Sequence, residues 1–250
     1  MGSLNFIGGE KGGVGKSVVA RVLAQYFIDK GHAFTGYDTD RSHASFRRFY
    51  GEYAAPVIVD SFEGLDRVVA TFDDAGHGGG EGTADGAGNG AGGGTAGRSV
   101  IVDLAAQTAA PLARWIKDSD LLGVLSPLGV AVNFWHVSDG GRDSVALLDG
   151  LLDTYGAGPN YFVVRNLGRA GDFSLLEGSA ALHKARGLGA RVFDLEALHE
   201  ASMRKIDAHD TSFWAAVNGR SGPDTLGMLE RQRVRIWLRN TYPTLDGLPL

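Results

Sequence analysis

Apolar positions along this chain follow two rhythms, and the two alternate. Short continuous apolar runs, the mark of strands buried on both faces, fall at 4–8, 33–37, 56–59, 99–102, 121–125, 161–164 and 191–193. Between them lie stretches whose apolar residues recur every three or four positions. The clearest spans 16–30, with Val19, Val22, Leu23, Tyr26 and Phe27 on one face and Gly31 placed to end it as a C-cap. Further helices are predicted near 65–72, 143–155, 173–186, 196–206 and 224–240. Strand–helix alternation of this kind predicts βαβ units, and hence a doubly wound α/β fold with a mostly parallel sheet flanked by helices. Neither an internal repeat nor a second domain interrupts it, so residues 1–250 read as a single domain.

Composition changes this picture at one place. From Gly76 to Gly97, 12 of 22 residues are glycine and none is a large apolar residue. Such a segment cannot bury enough surface to offset its ordering entropy, so a disordered surface loop is expected over 75–97. No lysine follows these glycines at phosphate-loop spacing, which sets a phosphate role aside. Elsewhere the chain is ordinary: 44% hydrophobic, mean hydropathy −0.06, net charge −5. No apolar run approaches the roughly 20 residues needed to span a bilayer, and no signal peptide is apparent. Cysteine is absent, which excludes disulfides, thiolate metal sites and iron–sulfur ligation. A cytoplasmic location is therefore expected. The negative balance argues against a uniformly basic nucleic-acid binder but leaves a local basic face open.

The chemistry concentrates after the first strand. Gly12, Gly13, Val14, Gly15, Lys16, Ser17 and Val18 join that strand to the first helix. Glycines let successive N–H groups turn toward one phosphate, and the helix N-terminus adds its positive dipole end. In such a loop Lys16 reaches the β- and γ-phosphates of ATP and the Ser17 hydroxyl ligates Mg²⁺. The broad phosphate-loop pattern has glycine where this chain has Glu10; the match is to a narrower form, K-G-G-x-G-K-[S/T], with an added lysine at Lys11. Asp38 and Asp40 end the second strand and Asp103 ends the fourth, the strand ends at which ligands sit in parallel sheets. Capping of a following segment is the other reading of such aspartates.

Through Lys11–Ser17, Asp38–Thr39–Asp40 and Asp103 the sequence resembles the ParA/MinD family of deviant-Walker ATPases. Asp40 follows Lys16 by 24 residues, the spacing of that family's catalytic aspartate, and Glu10 resembles the ParA branch more than the MinD branch. The resemblance implies a slow ATP hydrolase in which Lys11, Lys16 and Asp40 are catalytic. It places Mg²⁺ on Ser17, Asp38 and Asp103 and the adenine beside Asn166. It also implies a homodimer formed on ATP binding, with Lys11 reaching the partner's nucleotide, and an activating or adaptor protein that stimulates hydrolysis. Two switch segments depart from the family pattern: Arg41–Ser42 replace Pro-Gln after Asp40, and Leu104–Ala105–Ala106–Gln107 replace Pro-Pro after Asp103. Positioning or partition of a DNA or protein cargo is the process implied; the alternative on the same fold is a P-loop metabolic enzyme or a nucleotide-binding scaffold.

The remaining signals read as structural. Arg231, Arg233, Arg235 and Arg239 on the last helix suit a solvated basic face, with non-specific DNA binding as the functional alternative. The last ten residues contain Pro243 and Pro249 and no basic residue, which speaks against membrane docking. His136, His183, His199 and His209 lack metal-ligand spacing, and Trp135, Trp214 and Trp237 are expected in the core.

Overall fold

The computed structural model describes residues 2–8, 10–73, 97–220 and 225–250. The glycine-rich segment, apart from Gly97, and the expected start of the last helix at Asp224 lie outside the described residues. Seven described strands form one sheet: β1 (Gly2–Gly8), β2 (Phe34–Asp38), β3 (Ala54–Pro56), β4 (Ser99–Asp103), β5 (Val130–Ser138), β6 (Asn160–Asn166) and β7 (Arg191–Leu195). Their order is β3-β2-β4-β1-β5-β6-β7, and every pairing is parallel. The predicted doubly wound α/β fold is therefore present. Chain order reverses on either side of β1, which opens a crevice at the carboxyl ends of the central strands.

Strand alternation sorts the side chains onto two faces. Phe6, Val102, Phe134 and Val163 face one way. They pack under α2 (Phe62–Asp73), α3 (Ala109–Asp118), α4 (Leu121–Leu125), α5 (Arg142–Tyr155), α6 (Ser174–Glu177) and α7 (Ala180–Gly187). Ile7, Ile101, Trp135 and Phe162 face the other way. Their cover is α1 (Lys16–Lys30), α8 (Glu200–Ala208), α9 (Phe213–Asn218) and α10 (Met228–Asp246). Helix α1 has the predicted bounds. Gly31 at φ 68° closes it, with its N–H donating to Ile28 O (3.1 Å) and that of His32 donating to Phe27 O (2.9 Å).

Several expectations are corrected. Leu121–Leu125 is a one-turn helix, entered through Asp120 in the left-handed region at φ 44°, and the strand lies after it, at Val130–Ser138. Asn133 and His136 hid that strand by breaking its apolar rhythm. The third strand falls at Ala54–Pro56, ahead of the predicted 56–59. The single helix expected over 173–186 is two, because the Ser179 hydroxyl accepts from Leu182 N (3.1 Å) and starts α7 afresh. Helices α3 and α9 were not predicted. Helix α10 runs through Pro243 to Asp246 rather than stopping at 240. Trp135 and Trp237 are core residues as expected, whereas Trp214 is 54% exposed and Trp115 is fully buried. Among the described residues no helix is long and apolar enough to cross a membrane.

Candidate functional site

The loop from β1 to α1 is shaped by two glycines in the left-handed region, Gly13 (φ 78°) and Gly15 (φ 100°). At Gly15 the requirement is twofold, since a Cβ there would also lie 2.2 Å from Asn166 Nδ2. Asn166, at the end of β6, donates from Nδ2 to Val14 O (2.8 Å) and accepts from Gly168 N at Oδ1 (3.0 Å). Its amide thus braces the loop from outside, and Val14 is buried beneath that brace. The N–H groups of Val18 and Val19 both donate to Gly15 O and begin α1. The side chain of Ser17 reaches Asp103 at the carboxyl end of β4.

Lys16 is nearly buried, and Nζ donates to the carbonyl of Lys11 (2.7 Å). Burial lowers its pKa, while the charges of Asp103, Glu10 and Asp40 work in the opposite direction. Facing it, Asp103 is fully buried, and burial pushes its carboxyl up to about 7 against a hydrogen bond from Ser17. Among the described residues its Oδ1 has no hydrogen-bond partner. A buried carboxylate oxygen left over beside a serine hydroxyl is short of a cation. The donor set fits Mg²⁺, a hard ion that takes oxygen ligands and keeps several waters. Among the described residues no three His, Cys, Asp or Glu side chains converge into a protein-only metal cage, the four histidines included. A divalent ion here would lean on Ser17, Asp103, water and phosphate oxygens.

The second-strand aspartates are engaged locally. Asp38 Oδ1 accepts from Asp40 N (2.9 Å), and Oδ2 accepts from Phe46 N (2.8 Å) and Arg47 N (2.9 Å). Those bonds anchor the segment 40–47. Asp40 Oδ1 accepts from Ser42 N (2.9 Å) and His43 N (3.0 Å). Burial alone would raise the Asp40 carboxyl, but these amides and the His43 ring, 3.5 Å from Oδ2, together outweigh it and hold it below the usual carboxylate range. Between them Thr39, which sequence reasoning passed over, joins the ends of β2 and β4. Its hydroxyl donates to Asp103 O (3.1 Å) and accepts from Ala105 N (2.7 Å).

Two further contacts were not legible beforehand. Glu10, at the position where the broad pattern has glycine, accepts from Gln107 N at Oε2 and from Ala109 N at Oε1, each at 2.7 Å. It caps α3, whose own N-cap residue Thr108 makes no side-chain cap bond. It also steadies Gln107 at φ 67°, a conformation that a non-glycine residue adopts at a cost. Lys11 Nζ pairs with Asp139 Oδ2 (2.8 Å) and lies 3.8 Å from Asp143 Oδ2. Asp139 in turn accepts from Ser144 Oγ (2.7 Å) and Gly141 N (3.1 Å). Against the effect of burial, these bonds and Lys11 lower its pKa to about 2. No sequence signal singled out Asp139.

The last helix places its arginines unequally. Arg231 donates to Leu226 O (2.7 Å) and Arg235 to Val217 O (3.0 Å), so both are tied to their own chain.

No protein-family model matches this chain, nor does any curated protein. Among solved structures, it is similar to the MinD cell division protein of Aquifex aeolicus at 13% identity and a TM-score of 0.51, covering 100% of both chains. It is similar also to the MinC:MinD cell division protein complex of the same organism, at 12% identity and a TM-score of 0.51, covering 100% of this chain and 98% of that one. A ParA family ATPase from Chlorobium tepidum TLS aligns at 14% identity and a TM-score of 0.48, over 94% of this chain and 97% of that one. The seven-stranded parallel sheet, with residues 11–18 at the crevice, shares its fold with the MinD cell division protein.

Proposed function

We propose that this chain binds Mg-ATP at residues 11–18 and hydrolyses it slowly as a nucleotide-switched homodimer. The work of that switch, on this reading, is to position a cellular cargo, DNA or a protein assembly, in the cytoplasm under the control of an adaptor protein. The observation that carries the ATP site is Asp103: buried, beside Lys16 and Ser17, with one oxygen unpartnered among the described residues.

Each residue then has a definite task. The loop amides of Gly12, Gly13, Val14, Gly15 and Ser17 take the β-phosphate, and Asn166 keeps that cradle in shape from the adenine side. Lys16 Nζ exchanges the Lys11 carbonyl for phosphate oxygens and neutralises their charge. Ser17 and Asp103 would hold Mg²⁺, which would supply the charge neutralisation that phosphoryl transfer to water requires. Asp38 adds its charge from an anchored position and keeps the segment 40–47 in reach. Asp40 is ionised at neutral pH, and Oδ2, which lies 3.5 Å from His43 Nδ1, is the oxygen that orients the attacking water once His43 turns aside. Lys11 gives up Asp139 for the nucleotide of a second subunit, which makes hydrolysis depend on dimerisation.

The test is light scattering on size-exclusion chromatography with Asp40→Ala, in Mg-ATP and in Mg-ADP, repeated with Lys11→Ala added. A dimer confined to ATP and lost without Lys11 is expected. A monomer in every condition overturns the switch, and wild-type ATP affinity in Lys16→Ala overturns the site itself.

A further inference from the structure

Helices α3 and α5 lie side by side on one face of the sheet, and their facing surfaces carry small residues: Ala109, Ala110 and Ala113 against Ala146 and Gly150. Side chains this short leave a cleft of about 350 Å³ over β1 and β5. The volume falls within the range of small-molecule sites. Leu104, Leu112, Phe134, Leu147, Leu151 and Tyr155 give it an apolar wall.

Most polar groups on that wall are already satisfied. Glu10 uses both oxygens to cap α3. The hydroxyls of Thr108 and Thr154 donate to Ala105 O (2.8 Å) and Gly150 O (2.7 Å) within their own segments. His136 differs. It follows Val132 and Phe134 on the same face of β5, so its imidazole enters the cleft between α3 and α5. It is only 3% exposed, and among the described residues Nε2 has no hydrogen-bond partner. The other ring nitrogen bonds the Ser144 backbone, in the sense that raises the pKa, so the ring donates there. A neutral imidazole that donates through one nitrogen presents a lone pair on the other. Burial does keep this ring neutral, at a pKa of about 4.

We propose that the α3–α5 cleft is a binding site for a small, largely apolar molecule that carries one hydroxyl group, which donates to His136 Nε2. A charged ligand does not suit it: Glu10 repels anions, and no carboxylate on the wall is free to take a cation. The site is distinct from the phosphate loop but adjoins both of its tethers. Glu10 forms part of the wall, and Ser144, which holds the imidazole, also holds Asp139 and through it Lys11. Its existence does not depend on the loop binding ATP.

The probes are 4-propylphenol and propylbenzene, alike in shape and different in the one donor. They are titrated into the nucleotide-free 250-residue chain while ¹⁵N–¹H correlations of the histidine rings are followed. The phenol is expected to bind about tenfold more tightly, the ratio that one net hydrogen bond of about 1.4 kcal/mol supplies. It should also shift the unprotonated nitrogen of His136. His136→Leu should bind both probes equally. Leu147→Trp, which fills the cleft and leaves His136 in place, should bind neither. Failure of the phenol to bind wild type, equal affinities there, or undiminished binding in Leu147→Trp would each overturn the proposal. The first two outcomes would assign the lone pair of His136 to water.

Discussion

Gly15 and Asn166 act as one lock, assembled from the loop after β1 and the carboxyl end of β6. The loop needs a left-handed residue at 15, and Asn166 occupies the space where any side chain there would go. Gly15→Ala therefore meets both strain and collision, and we expect it to lose thermal stability and ADP binding together. Removing the collision with Asn166→Ala in the same chain should recover part of the stability, since the remaining φ strain costs about 1 kcal/mol. It should not recover the affinity, because the brace on Val14 is lost as well. Melting curves and ADP titrations of the two single variants and the double variant form the check; strict additivity would dismiss the lock. The glycine was legible in the sequence, because the motif names it. The brace was legible only as an asparagine near the nucleotide, since which atoms it touches is decided by a strand far along the chain. Asp139 was not legible at all: a single aspartate after an unpredicted strand carries no pattern, and only the fold puts it against Lys11.

At the scale of elements, strand β5 shows why periodicity fails where polar residues are buried in partnership. Asn133 breaks its apolar run, yet it is fully buried and its amide is shared out across the sheet. It donates to Asn5 Oδ1 (2.9 Å) and to Pro249 O (3.0 Å), and it accepts from Asn160 Nδ2 (2.8 Å). Trp135 Nε1 adds a bond to Asn5 Oδ1 (3.1 Å), and Asn5 Nδ2 donates to Val100 O (3.1 Å). The ladder fastens β4, β1, β5 and β6 near their starts, at the end of the sheet away from the crevice. Leucine at 133 would satisfy the sequence pattern better and the structure worse. Asn133→Leu should cost about 1–3 kcal/mol, because the Pro249 carbonyl and the Asn160 amide lose their partner. Urea unfolding measures this, and an unchanged midpoint would mean that the ladder is replaceable by packing. The strand–helix alternation, by contrast, was legible as a pattern although one strand was misplaced and two helices missed, and the bounds of α1 were legible in full, where a capping glycine and a clean apolar face coincide.

For the molecule as a whole, two buried groups set opposed pH responses. In the metal-free protein Asp103 rises from 3.8 to about 7 through burial, so between those values the folded chain keeps a proton that the unfolded chain has released. That contribution falls as pH rises. His136 drops from 6.5 to about 4 through burial, so between those values the unfolded chain holds a proton that the folded one refuses. That contribution grows as pH rises. Each is worth about 1.4 kcal/mol per pH unit where it acts, and they offset one another from about pH 4 to 6.5. Urea melts in the presence of a chelator should therefore show little of either in wild type. Asp103→Asn should uncover a stability that increases with pH over that window, and His136→Phe one that decreases; slopes equal to wild type in both variants would refute the assignment. Neither shift could be foreseen from the chain, because both follow from depth in the fold. The same holds for Glu10, which sequence reasoning treated as a branch marker. Its two oxygens tie the loop after β1 to the start of α3, so the loop cannot relax without turning a helix. A glycine at that position would disengage the two like an opened clutch: the loop would still grip, and nothing on the α3 side of the molecule would feel it.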